Sequence, residues 1–276
     1  MKNFALENWD DGRLTVNREF AETLRRGGLT DFDSFMFDER GEIAKNLLPE
    51  RTTLRLSLPG RDGEPRDFYL KRHLPVPLKE YVKPWLRLTR PIVGARNEWD
   101  AILDFHQAGI PTMVPVAIGE RGRKSFLLTE GIARCCKLSD WMETRLGENG
   151  SSAAADDELA AIVDGVAHVA RLMHRQGLHH QDFYLTHLLL PVDNRRRGVH
   201  VIDLGRARRR RHLGRRWIVK DLAQLNYSAK LFPAWTRRRF LERYLDRPLQ
   251  PSDRHLRRQI DRKSDRIARH SRKHSL

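Results

Sequence analysis

The sequence predicts an α+β fold in two lobes: a small antiparallel sheet carrying one main helix, followed by a helical half. Three observations predict it. Two alternating segments flank a Pro/Gly/Asp turn between residues 51 and 73. A single helical pattern and two further strand patterns follow, up to Glu130. A long amphipathic stretch from Glu158 then opens a half of different character. The 276 residues suit one large domain or two lobes. The expected division is 1–130 and 131–276, with a basic tail from about residue 254.

Taken in order, residues 1–50 carry no usable motif. "RTTLRLSL" (Arg51–Leu58) alternates in polarity as a half-buried strand does. "PGRDGEP" supplies turn residues, and "RDFYLKRH" (Arg66–His73) returns as the second strand of a hairpin. In that strand Phe68, Leu70 and Arg72 share one face, and Tyr69, Lys71 and His73 the other. The segment around "LKEYVKPWLRLTR" (Leu78–Arg90) mixes basic and aromatic residues with proline. "ARNEWDAILDFHQAG" spaces Trp99, Ile102, Leu103 and Phe105 as a helix and closes on Gly109. "VPVAIGE" and "KSFLLTE" read as strands, and "GENGSSAAADD" as a surface connection. The next helix carries an apolar stripe of Leu159, Ile162, Val163, Val166, Val169, Ala170 and Met173, with Gly177 as its C-cap.

Composition narrows the function classes. No run approaches the ~20 apolar residues of a membrane span. The N-terminus "MKNFALENWDDGRL" lacks a signal-peptide layout, so export is not expected. Cys135 and Cys136 are adjacent, with no metal-ligand spacing, and read as reduced thiols of a cytoplasmic protein without disulfides. Lys and Arg total 52 against 36 Asp and Glu, a net charge of +16. Such a field favours an anionic partner: nucleic acid, anionic lipid, or an acidic small molecule.

Four positions carry the chemistry. Lys71 lies on the hairpin's second strand, and Glu98 begins the helix after it. Asp182 lies in "HHQDFYLTHLLL" (His179–Leu190), just past the long helix. Asp203 ends "HVIDLG", a short apolar strand expected over Val199–Leu204. Phosphoryl transfer from ATP needs these residue types. A Lys neutralises phosphates and a Glu holds it. One Asp takes the acceptor's proton, and another carboxylate carries Mg²⁺. "HQD" followed five residues later by His187 matches the protein-kinase spacing H-R-D-x-x-x-x-N, and "DLG" stands where D-F-G stands. The order of the four residues, each on its expected element, makes the fold protein-kinase-like. A zinc site from His179, His180 and His187 is the competing reading, against which stands the lack of zinc-type spacing.

The chain resembles the lipopolysaccharide kinase family, which phosphorylates heptose or Kdo (3-deoxy-octulosonic acid) sugars of the lipid A inner core. The resemblance runs from about Thr52 to Tyr227, through "FYLKRH", "GARNEWDAI", "GIPTMVPVAIGERG", "SFLLTE", "LHHQDFYLTHLLL", "VIDLGRARRR" and "KDLAQLNYS". It implies Lys71 for ATP phosphates, Asp182 as catalytic base, Asp203 for Mg²⁺, and His187 where protein kinases place a metal-binding Asn. Backbone groups around Glu130 would hold adenine. His180 would shape the loop, and Asp221 in "KDLAQL" would tie down its backbone. One departure is that no G-x-G-x-x-G precedes the hairpin. "DERGEIAKNLLPERTT" has a single glycine, so the phosphate-covering loop has no assignment.

The segment from Asp203 to Asp221 is short and Arg-rich and carries no A-P-E motif. It suits an acidic acceptor better than a docked peptide, with Arg206 and Arg208 gripping phosphate or carboxylate. The expected partner is a lipid-linked anionic sugar at an anionic membrane surface. A protein or small-molecule kinase, or a non-catalytic scaffold that binds nucleic acid, are the alternatives. No nucleic-acid motif supports the last.

Overall fold

The computed structural model describes residues 3–48, 50–60, 63–75, 94–147, 153–192 and 198–274. The chain divides into two compact units, Met1–Gln107 with Met113–Ala133, and Ala108–Thr112 with Arg134–Leu276. The basic-aromatic segment Leu78–Arg90 lies outside the described residues, as does part of the Gly/Ser connection before the long helix.

The first unit is built on an antiparallel sheet of β1 (Leu6–Trp9), β2 (Leu14–Asn17), β3 (Glu42–Leu48), β4 (Arg51–Pro59), β5 (Pro65–His73), β6 (Val114–Arg121) and β7 (Lys124–Glu130). Their spatial order is β1-β2-β6-β7-β5-β4-β3. Alternation sets the faces. Leu54, Leu56 and Leu58 of β4 and Phe68 and Leu70 of β5 point into the core, while Arg55 and Ser57 point to water. Residues 1–50, opaque in the sequence, supply much of that core. Phe20 precedes α1 (Ala21–Arg26), and Phe32 and Phe35 lie on α2 (Phe32–Met36). Phe35 stacks on Phe126 with ring centroids 4.3 Å apart. Phe126 is fully buried, so its truncation to alanine would cost about 3–5 kcal/mol. Asp31 caps α2 by accepting from the Asp33 and Ser34 N–H groups, and the Ser34 hydroxyl accepts from Asp31 N–H.

Gly41 is not part of a loose glycine loop. A Cβ there would lie 2.8 Å from Leu56 Cδ2 and 2.9 Å from Leu54 Cβ, so the glycine lets β3 enter against β4. Helix α3 (Arg96–Gln107) buries Glu98, Trp99, Ala101, Ile102 and Phe105. Leu103 is only half-buried.

The second unit holds two small sheets, ordered β11-β10-β8 and β12-β9. The strands are β8 (Cys135–Lys137), β9 (Leu178–His179), β10 (Leu188–Pro191), β11 (His200–Val201) and β12 (Arg208–Arg209). Its helices are α4 (Leu138–Gly147), α5 (Ala153–Arg175), α6 (Arg215–Ser228), α7 (Ala234–Leu245) and α8 (Arg254–His274). The whole apolar stripe of α5 is buried. Gly177, at φ +74°, closes the turn after α5, and a Cβ there would lie 2.3 Å from the Arg210 carbonyl oxygen. Arg239 of α7 clamps Asp164 of α5 through two hydrogen bonds of 2.7 and 2.9 Å.

One expectation is corrected. The strand over Val199–Leu204 is only His200–Val201. The chain leaves it before Asp203, which takes a left-handed conformation (φ 58°, ψ 58°) and starts a 3₁₀ turn, a geometry that aspartate tolerates better than most residues. The basic tail is a helix, α8, packed on α6. Ile260 and Ser264 are buried there, and Ser264 Oγ donates to the Ala223 carbonyl at 2.9 Å.

Candidate active site

In the first unit, Lys71 sits on β5 between Thr53 of β4 and Leu127 of β7. Its neighbour Leu70 goes into the core, so Lys71 projects from the other face. Its ammonium donates to Glu98 Oε1 at 2.5 Å, and Arg51 Nη2 lies 3.5 Å from the other carboxylate oxygen. Glu98 is 2% exposed and sits in the first turn of α3, where the helix dipole favours a carboxylate. His73, two residues along β5, has its pKa lowered to about 3 by burial, then by the Arg51 and Lys71 charges. Glu130 ends β7 and accepts from Arg66 Nη1 at 3.0 Å.

In the second unit, one stripe of α6 organises the loop around Asp182. Asp221 is fully buried and accepts from the backbone N–H groups of His180 and Gln181, both at 2.8 Å. Burial pushes Asp221 up, but the hydrogen bonds from the His174 ring and the His180 backbone N–H outweigh it. The carboxyl ends below its usual range. Gln224 accepts from Phe183 N–H and donates to the Gln181 carbonyl, at 3.2 and 2.6 Å. Ser228 Oγ accepts from Leu185 N–H at 3.1 Å. Asp221, Gln224 and Ser228 share one helical face. Sequence reasoning found Asp221 and missed the other two, although their spacing was the available signal.

The histidines have fixed roles. His180 Nε2 donates to the Ile202 carbonyl at 3.0 Å, while its Nδ1 accepts from Asp182 N–H at 3.2 Å. Both ring nitrogens are thus used by the neutral tautomer. Burial, above all, holds its pKa down. The ring therefore bridges the Asp182 loop and the residue before Asp203. His187 Nδ1 donates to the Asp182 carbonyl at 2.7 Å, leaving Nε2 facing Asp203 Oδ2 at 3.6 Å. Gln181 is held at φ 72°, a left-handed position that glutamine rarely adopts.

The second unit thus gathers Asp182, His187, Asp203, His180, Asp221 and Arg206. Arg206 Nη1 lies 3.2 Å from Asp182 Oδ1. Arg208 lies on β12, opposite His179 in register. Lys71 and Glu98 meet in the first unit. Arg51 and Gln181 were not foreseen.

This fold is that of a two-lobed, protein-kinase-like phosphotransferase. Residues 38–244 match the lipopolysaccharide kinase (Kdo/WaaP) family, and the chain belongs to that family. It is 37% identical over 231 residues to the lipopolysaccharide core heptose(I) kinase WaaP of Pseudomonas aeruginosa, covering 76% of this chain and 79% of that protein. It is 34% identical over 221 residues to the same-named kinase of Escherichia coli K12, covering 76% and 80%. A solved structure of WaaP in complex with acyl carrier protein aligns with TM-score 0.71 and 30% identity, over 92% of this chain and 99% of that one. The chain is accordingly a kinase of the lipopolysaccharide inner core, which sets aside the non-catalytic scaffold reading.

Proposed function

We propose that the chain transfers the γ-phosphate of ATP to a hydroxyl of the first inner-core heptose. The observation that carries this is the rigid placement of Asp182, whose flanking amides and carbonyls are tied to α6, His180 and His187. Asp182 would accept the acceptor's hydroxyl proton as its oxygen bonds to the γ-phosphorus and the bond to ADP breaks. Lys71, held by Glu98, would neutralise nucleotide phosphates. Glu130 would mark the adenine site, through backbone rather than side chain.

Mg²⁺ is the family's implied metal. Among the described residues no three His, Cys, Asp or Glu side chains converge as a protein-only cage. The Nε2 of His187, which faces the Asp203 carboxylate across 3.6 Å, nevertheless suits a cation completed by phosphate and water oxygens. Asp203 and His187 would hold it, and when bound it would supply charge neutralisation on the phosphates.

Two partners suit the second unit. It contains an apolar cavity of about 290 Å³ whose lining includes Ile162, Val166, Phe232, Phe240, Arg238 and Arg257. The WaaP structure that aligns with this chain was solved in complex with acyl carrier protein. A cavity with an apolar wall and arginines beside it suits a partner that bears an acyl chain. Among the described residues no helix is long and apolar enough to cross a membrane. The outward face of α8 carries Arg258, Arg262, Arg266 and Arg269 against Asp265, a surface for anionic lipid.

The test of the main reading is transfer of labelled γ-phosphate to purified inner-core fragments, with a generic protein and nucleic acid in parallel. Transfer to the heptose-containing fragment alone is expected. Transfer to the generic protein, or to none of the three, would reject it.

A further inference from the structure

Beside Asp182 the second unit assembles a cationic cluster around one indole. The Arg210 and Arg216 guanidinium carbons lie 4.6 and 4.4 Å from the Trp217 ring centroid, and Lys220 Nζ lies 5.8 Å from it. The His179 ring stacks on the same indole at 4.5 Å. Lys220 Nζ also donates to Gln181 Oε1 at 3.4 Å, and Gln181 is the residue before Asp182. The cluster therefore adjoins the loop that carries the candidate base.

The Asp182 and Asp221 carboxylates act on Lys220 only from beyond ion-pair distance. Among the described residues no carboxylate lies within ion-pair distance of Arg210, Arg216 or Lys220, although ion pairs are common elsewhere on this chain. The local backbone makes the imbalance worse. Arg215 and Arg216 open α6, whose N-terminal end is itself positive, and its first turn contains no acidic residue. Natural helices favour the opposite arrangement. Hydrogen-bond donors are also in excess. His179 Nε2 accepts from Arg210 Nε at 3.0 Å, so in the neutral ring Nδ1 carries the proton, and that buried Nδ1 has no acceptor. Burial, and next the Arg206 charge, hold the Lys220 ammonium below its usual pKa. Indole faces relieve part of the repulsion between the cations, but they provide no counter-charge.

We propose that Arg210, Arg216 and Lys220, arrayed on Trp217, form a subsite for an oxyanion of the acceptor, a carboxylate or phosphate flanking the sugar that is phosphorylated. This rests on the reading of the chain as an inner-core kinase. It adds a specificity determinant separate from Arg206, which is already engaged with Asp182. The guanidiniums supply paired donors suited to a planar or tetrahedral oxyanion.

Arg216 is the position to test, because it is exposed and its only described contact is the indole face. Arg216→Gln and Arg216→Lys would be compared with the unsubstituted protein by acceptor kinetics and by calorimetric binding of the inner-core fragment without nucleotide. Three fragments would be used: intact, carboxyl-reduced, and dephosphorylated. Loss of one charge-assisted contact predicts a roughly tenfold rise in acceptor KM and Kd for Arg216→Gln, with the ATP KM unchanged. Arg216→Lys should restore most of the affinity. The modified fragment that erases the difference between variant and parent identifies which oxyanion is held. Equal affinity of Arg216→Gln and parent for the intact fragment would overturn the proposal. So would an equal loss for all three fragments, or no binding by the parent. Binding by the parent that depends on Arg216, without turnover, would instead reject the kinase reading and keep the subsite.

Discussion

Asp221→Asn isolates the strap beneath the candidate base. The carboxylate receives two backbone N–H bonds, each 2.8 Å, at a fully buried position. An asparagine of the same shape keeps one acceptor oxygen and turns an NH₂ toward the second N–H. The change removes one charge-assisted hydrogen bond, worth about 1.5–3 kcal/mol, and leaves a buried donor unpaired at a further cost of about 1–3 kcal/mol. A total near 4 kcal/mol, at roughly 2–4 °C per kcal/mol for a chain of this size, lowers the melting midpoint by about 10 °C. Because the two amides are those of His180 and Gln181, just ahead of Asp182, kcat should fall well before the ATP KM changes. Thermal melts followed by calorimetry, with steady-state kinetics below the transition, measure both. A variant that melts within about 2 °C of the parent and keeps its kcat would refute the reasoning, since the carboxylate would then be dispensable to the loop.

Asp182→Asn should lower kcat by orders of magnitude while nucleotide binding survives, whereas Asp203→Asn should weaken Mg²⁺-dependent nucleotide binding; calorimetric titration with and without Mg²⁺ separates the two. Stability should fall as pH drops from ~6.5 toward 3, because the His73 pKa is lowered to about 3 by burial while the unfolded chain takes up that proton near ~6.5. At pH 5 this one ring accounts for about 2 kcal/mol, and melts across that range on His73→Gln should show a pH slope shallower by close to one proton. The parent should sediment with anionic vesicles at low salt and not with neutral ones; reversing Arg258, Arg262 and Arg269 to Glu should abolish this, a cleaner test than deleting 254–276, which would strip Ile260 and Ser264 from α6.

The legible parts of this chain were those where chemistry and periodicity coincide. Lys71 stands out by its place on a hairpin strand ahead of Glu98, Asp182 and Asp203, and Asp182 because charged side chains crowd against Leu188–Leu190. The amphipathic stripe of α5 is long enough to declare itself. Residues 1–50 were opaque for a physical reason. Their strands and helices are three to seven residues long, too short for a repeat to emerge, and β1 buries no residue fully. Gln224 and Ser228 look like ordinary polar surface on a helix until the loop they hold is seen. Asp203 was placed on a strand because Val199, Val201 and Ile202 precede it. Periodicity carries no information about a single left-handed residue.

The α6 stripe has a consequence for how this loop opens. The amides of His180, Gln181, Phe183 and Leu185 all donate to side chains of one helix, spread over two turns. Solvent cannot reach one of them by a local fluctuation of the loop without loosening its neighbours from the same scaffold. In hydrogen exchange these protons should therefore leave together, at a rate set by the docking of α6 and, through Ser264, of the C-terminal helix packed behind it. The opening of the Asp182 loop would then track the integrity of the end of the chain, although more than seventy residues of sequence separate them.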